Sequence, residues 1–176
     1  GYKAEQIEAY CGDGARWGLS LSYAHDGPVP LGTGGAVKRA TADLPAHVAV
    51  LYGDTILALD CRAALQKADD ARFDAVMSVL KDPPDGHACN ATLEGDRVLY
   101  AKKNPHPAWR HIDYGFLVLS RRFLSAIPER TPLDLAEPLE QASREGRVAA
   151  FETHERFWEI NTPESLEAFR RRFAHG

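Results

Sequence analysis

Leu31-Gly32-Thr33-Gly34-Gly35-Ala36 stands about twenty residues ahead of Leu51-Tyr52-Gly53-Asp54, and these two stretches decide how the chain is read. A glycine-rich turn that opens a helix offers bare backbone N–H groups and lets a flat ligand approach the main chain. An aspartate that ends a buried strand can hold a divalent cation. Together they point to a nucleotide with its metal. Each alone also has a plain structural use, the glycines as a tight connection and the aspartate as a cap.

Strand-like and helix-like patterns alternate around these stretches. Leu19, Leu21 and Tyr23 repeat every second residue, as in a strand with one buried face, whereas His47–Tyr52 and Ala75–Leu80 are nearly continuous apolar runs of the kind placed in a sheet's centre. Between those runs Asp60 is expected to cap a helix through Ala63, Ala64, Leu65 and Ala68, completing a β-α-β unit with a right-handed crossover. A turn-rich loop, Asp82 to His87, leads to a hairpin of Asn90–Leu93 and Arg97–Lys102 about Glu94-Gly95-Asp96. His111–Leu119 and Arg147–Glu152 read as strands, and Leu133–Gly146 as a helix with Gly146 at its C-cap. Thr162 caps a last helix with Pro163 at its first position and an apolar stripe of Leu166, Phe169 and Phe173.

With 176 residues and 44% hydrophobic content, the chain fits one domain with a core of ordinary size. A formal charge of −4 argues against nucleic acid and anionic membranes as partners. The basic run Arg170-Arg171-Arg172 complements a helix C-terminus. Cys11, Cys61 and Cys89 are odd in number and widely spaced, so no disulfide framework or zinc site is indicated, and a reducing, cytoplasmic setting is the simplest expectation. There is no apolar run long enough to span a membrane. The seven histidines form no ligand set.

The order Leu31-Gly32-Thr33-Gly34-Gly35-Ala36, Gly53-Asp54, Ile112-Asp113-Tyr114-Gly115 and Trp158-Glu159-Ile160-Asn161-Thr162-Pro163-Glu164 resembles the sugar-1-phosphate nucleotidylyltransferases, or nucleotide-sugar pyrophosphorylases. The motifs spread over roughly 130 of the 176 residues. The opening Gly1-Tyr2-Lys3, with Ile7, Tyr10, Gly12-Asp13-Gly14 and Gly18, also looks like the segment that follows the second strand in that family. The resemblance implies an α/β fold of the nucleotide-diphospho-sugar transferase type: a three-layer sandwich on a mixed, mostly parallel, Rossmann-like sheet, with a sugar-binding hairpin. It also implies a preceding strand and a loop G-G-x-G-x-R followed by a P-K pair, which nothing here matches. The chain is therefore expected to be a fragment of a single nucleotidyltransferase domain, lacking about 50 to 60 residues that carry two strands, a helix and the triphosphate loop. Such a fragment would leave an apolar edge at His47–Tyr52, open to association with further copies of itself.

Nucleotidyl transfer crowds negative charge onto the reacting phosphates, so catalysis needs cations and positioning more than covalent chemistry. The resemblance makes Asp54 and Glu159 the Mg²⁺ carboxylates. The second departs from the family's usual Asp-Ile-Gly-Thr-Pro and matches a subset that carries Glu; the alternative is that Glu159 pairs with a basic neighbour. Leu31, Gly32, Thr33, Gly34 and Gly53 would bind the nucleotide. Lys102, in the Tyr100-x-Lys102 pattern, looks like the lysine that contacts the sugar phosphate, and adjacent Lys103 points to the opposite face of a regular strand. Asn90, Asp113 and Gly115 face the sugar, although Asp113 serves equally as a strand-end turn former. The implied activity joins a nucleoside triphosphate to a sugar 1-phosphate with release of pyrophosphate, and Glu159, Asn161 and Tyr100-x-Lys102 look most like the heptose-1-phosphate guanylyltransferase branch. A noncatalytic nucleotide-sugar-binding regulatory subunit is the alternative. A glycosyltransferase would need a D-x-D motif that the sequence lacks.

Overall fold

The computed structural model describes residues 1–44, 46–83, 87–129 and 132–174. In chain order they form α1 (Ala4–Cys11), a 3₁₀ turn (Ala15–Trp17), α2 (Gly32–Ala40), β1 (His47–Leu51), β2 (Thr55–Ile56), α3 (Cys61–Lys67), β3 (Ala75–Lys81), β4 (Ala91–Glu94) and β5 (Arg97–Tyr100). There follow β6 (His111–Ser120), α4 (Arg121–Ala126), α5 (Ala136–Arg144), β7 (Val148–Thr153), β8 (Trp158–Glu159) and α6 (Pro163–Phe173).

Six strands form one sheet in the order β1-β6-β3-β7-β5-β4. The sheet is mixed, as expected, but not mostly parallel in its pairings: β3–β7 is parallel, whereas β1–β6, β3–β6, β5–β7 and β4–β5 are antiparallel. The reason is topological. β6 returns between β1 and β3 and separates two strands that point the same way. β3 is buried at every residue but its last, which matches its continuous apolar run. Alternate residues feed two clusters. Ala75, Met77, Val79, Leu117, Leu119, Val148 and Ala150 pack with residues of α4 and α5, while Val76, Phe116, Val118 and Ala149 pack with Ala64 and Ala68 about α3.

Other expectations need correction. His47–Leu51, read from its apolar run as a central strand, instead forms the free edge also expected at His47–Tyr52: it is paired on one side to β6 and half-buried, with Leu51 56% exposed. Leu19, Leu21 and Tyr23 belong to no strand, because alternation makes a strand only where a neighbour completes the ladder. Helix α5 begins at Ala136, not Leu133. The residues before it leave helical register to pair with the glycine-rich turn: Leu133 N–H donates to the Leu31 carbonyl (2.8 Å) and Gly34 N–H donates to the Leu133 carbonyl (2.8 Å). Part of the turn-rich loop, Pro84-Asp85-Gly86, lies outside the described residues.

Local chemistry explains the elements that match. The Asp60 carboxylate caps α3 by accepting from the Arg62 and Ala63 N–H groups. The hairpin turns at Gly95, whose φ is +63°. Thr162 and Ser165 form a reciprocal capping box at α6, with Pro163 in the first turn. Phe169 and Phe173 then pack edge-on against Trp158 of β8, tying α6 to the short β2–β8 ladder. Helix α5 is clasped to β5 through buried Ser143, whose hydroxyl accepts from Tyr100 N–H and donates to the Val98 carbonyl.

Candidate active site

An open cleft of about 280 Å³ runs along the ends of these elements. Of the residues singled out from the sequence, Thr33, Asp54, Asn90, Lys102, Asp113, Gly115 and Glu159 line it; Leu31, Gly32, Gly34 and Gly53 do not. Gly32, at φ +74°, and Gly34 face the segment at Leu133, and a Cβ on Gly32 would collide with the Leu133 backbone. These glycines therefore serve a close backbone-to-backbone approach, and Thr33 is the residue of the turn that reaches the cleft.

The floor of the cleft is built by a bulge. The β3–β6 register shifts between Met77 and Val79, and Gly115 takes φ +87° at that point. Ser78, fully buried, plugs the irregularity by donating its hydroxyl to the Phe116 carbonyl (2.7 Å) and accepting from Phe116 N–H. Asp113 is thereby turned into the cleft. Its Oδ1 accepts from Gly115 N–H (2.9 Å), and its own N–H donates to Asn90 Oδ1 (2.8 Å). Burial pushes the Asp113 carboxyl up to about 6, against the opposing pull of the Gly115 N–H and the Lys102 charge.

Asp54 and Glu159 come to the same cleft because β2 pairs with β8: Thr55 stands opposite Glu159, and the Asp54 carbonyl accepts from Ile160 N–H (2.7 Å). Both carboxylates are exposed. The Thr55 hydroxyl donates to Asp54 Oδ1 (3.1 Å) and sets its orientation. Two exposed oxygen ligands are the complement that Mg²⁺ takes from a protein when waters and phosphates supply the rest, so this pair fits the ion. Among the described residues no group of three His, Cys, Asp or Glu is placed to enclose a metal by itself.

Lys102 also lines the cleft, its Nζ 2.6 Å from Asp134 Oδ2. Asp134 was not legible as a site residue; it comes from the segment that leaves helical register before α5. Partial burial opposes its ionisation, yet hydrogen bonds from Lys102, Ala136 N–H and Thr33 hold the carboxyl below its usual range. Tyr52 and Tyr100 also line the cleft. Burial first, then nearby carboxylates led by Asp113, pushes Tyr52 up to about 12 and Tyr100 upward as well, so both remain hydroxyl donors at neutral pH. Phe157 closes one end, edge-on to His87 (5.3 Å) and Tyr114 (5.7 Å).

No protein-family model matches the chain. Its fold is that of solved nucleotidyltransferases. A Bacillus anthracis protein described as a candidate glucose-1-phosphate thymidylyltransferase, solved with sucrose, superposes with a TM-score of 0.79 at 15% identity, covering 98% of this chain and 73% of that one. HddC from Yersinia pseudotuberculosis gives 0.77 at 23% identity over 98% and 75% of the two chains, and its complex with GMP-PN gives 0.73 at 22% over the same shares. In sequence the chain is similar to the D-glycero-α-D-manno-heptose 1-phosphate guanylyltransferase of Aneurinibacillus thermoaerophilus, 28% identical over 123 residues that make up 69% of this chain. That match spans about half, 52%, of the curated relative. Among the described residues no helix is long and apolar enough to cross a membrane.

Proposed function

We propose that this chain belongs to an enzyme that transfers a nucleotidyl group from a nucleoside triphosphate to a sugar 1-phosphate, giving a nucleotide sugar and pyrophosphate, with Mg²⁺ held by Asp54 and Glu159. The observation that carries this reading is the charge layout of one cleft. Asp54, Asp113 and Glu159 line it with Lys102 as the cation among the lining residues, so an anionic triphosphate is accepted only when divalent charge accompanies it. Mg²⁺ supplies charge neutralisation at the phosphates where transition-state charge concentrates.

The chain's own residues do the positioning. Lys102 receives the sugar's phosphate, Thr33 and the turn around it face the nucleotide, and Asp113, Asn90 and Gly115 address the sugar hydroxyls, with Tyr52 and Tyr100 as further donors. The sequence relative makes GTP with a heptose 1-phosphate the first pair to try.

The test is pyrophosphate release by the protein in its encoded full length, with a panel of nucleoside triphosphates against sugar 1-phosphates, with and without Mg²⁺. Mg²⁺-dependent release with one pair is the expected result. Tight binding of a nucleotide sugar with no release from any pair would establish the noncatalytic regulatory reading instead.

A further inference from the structure

Lys102 is held at both ends by one segment. Its backbone N–H donates to Glu140 Oε1 on α5 (2.8 Å), and its ammonium pairs with Asp134 Oδ2, just ahead of that helix. The other oxygen of Asp134 is itself pinned, since Oδ1 accepts from Ala136 N–H (3.0 Å) and from the Thr33 hydroxyl (3.3 Å). Thr33 Oγ1 in turn accepts from Leu135 N–H (2.9 Å). A single carboxylate therefore connects the lysine to the glycine-rich turn.

We propose that Asp134 is a positioning residue: it fixes the Lys102 ammonium relative to Thr33, so that the sugar-phosphate and nucleotide subsites are set by one side chain. The proposal rests on the reading of Lys102 given above. A lysine carries about 2 kcal/mol of rotamer entropy on a flexible four-carbon stem, so an unheld Lys102 would have to be ordered by each incoming phosphate. An ammonium has three donors; Asp134 takes one and orients the remaining two toward the cleft. Lys103, next along the chain, is exposed and does not line the cleft, which makes it an internal control.

Asp134→Asn keeps an oxygen for Ala136 and Thr33 while removing the charge that holds Nζ, and Asp134→Ala removes both. Amine acylation followed by mass spectrometry reads the lysine directly. In the unmodified protein Lys102 is labelled several-fold more slowly than Lys103; in both variants the two rates converge. With the substrate pair found above, kcat/KM for the sugar phosphate falls at least about tenfold in both variants, while the nucleotide KM stays within about threefold in Asp134→Asn, which keeps the Thr33 contact, and rises further in Asp134→Ala. Thermal melting of the Asn variant within a few degrees of the unmodified protein separates this from a loss of fold. Unchanged Lys102 labelling in both variants overturns the proposal. So does a sugar phosphate that binds equally well or more tightly, which would make Asp134 a mere counter-charge. If no substrate pair turns over at all, the functional reading fails, and the labelling alone decides what Asp134 does.

Discussion

The two walls of the cleft are built in opposite ways. On one, Thr33, Lys102 and Asp134 are locked into each other and into α5 by hydrogen bonds at 2.6–3.3 Å. On the other, Asp54 and Glu159 project from a ladder of two residue pairs, both exposed, and Asp54 is steadied by one hydroxyl. The cationic wall is assembled by the protein, whereas the anionic wall is completed by whatever positive charge it binds. Binding energy spent on ordering is thus saved on the lysine side, and sensitivity to the ion is concentrated on the carboxylate side.

The largest effect is expected at the proposed ion site. Asp54→Asn removes a full charge from the proposed metal site and should lower turnover at least about a hundredfold, about 2.7 kcal/mol, at saturating Mg²⁺. Activity within tenfold of the unmodified protein would show that the two walls do not differ as described.

Next comes Asp113, between the walls. Burial pushes its folded carboxyl up to about 6, above an unfolded value of about 3.9. Below about pH 4 both states are protonated and nothing is lost. As pH rises through 4 to 6 the unfolded chain releases the proton first, so stability falls, and the full cost of about 3 kcal/mol is present above pH 6. Asp113→Asn, neutral throughout, should therefore melt level with the unmodified protein near pH 4 and higher by several degrees at pH 7.5 and above. A difference that is constant with pH would remove the desolvation account.

Smaller still, Lys102→Ala should raise the KM for the sugar phosphate about tenfold, leaving the nucleotide KM within about threefold. Lys103→Ala should change neither by more than about twofold. Equal effects on both substrates, or a larger effect from Lys103, would reassign the lysine.

Much of this was legible in the chain because it is local. Asp60 and Thr162-Pro163 announce their helices, Gly95 its hairpin, and Ala75–Leu80 its place inside the sheet. Asp54, Asn90, Lys102, Asp113, Gly115 and Glu159 were readable as candidates through motif order, and the structure brings them to one cleft. What escaped is non-local. The β6 return between β1 and β3 leaves no periodic trace, so the sheet looked more parallel than its pairings are. Asp134 belongs to no motif, since its role arises when residues 132–135 pair with the glycine-rich turn. One signal was available: Pro138 is tolerated only in a helix's first turn, which places the start of α5 near Ala136 rather than Leu133. The bulge at Gly115 depends on the Ser78 hydroxyl from another strand, and no single segment encodes it.

The claim on which the account turns is that Asp54 and Glu159 hold a divalent ion opposite Lys102. Electron paramagnetic resonance of Mn²⁺, titrated into the full-length protein with a nonhydrolysable nucleoside triphosphate, reads that ion without requiring turnover. The account predicts saturable binding of about one Mn²⁺ per chain, displaced by Mg²⁺, weakened at least about tenfold in both Asp54→Asn and Glu159→Gln and unchanged in Lys103→Ala. Mn²⁺ binding that is indifferent to both carboxylate substitutions would contradict it.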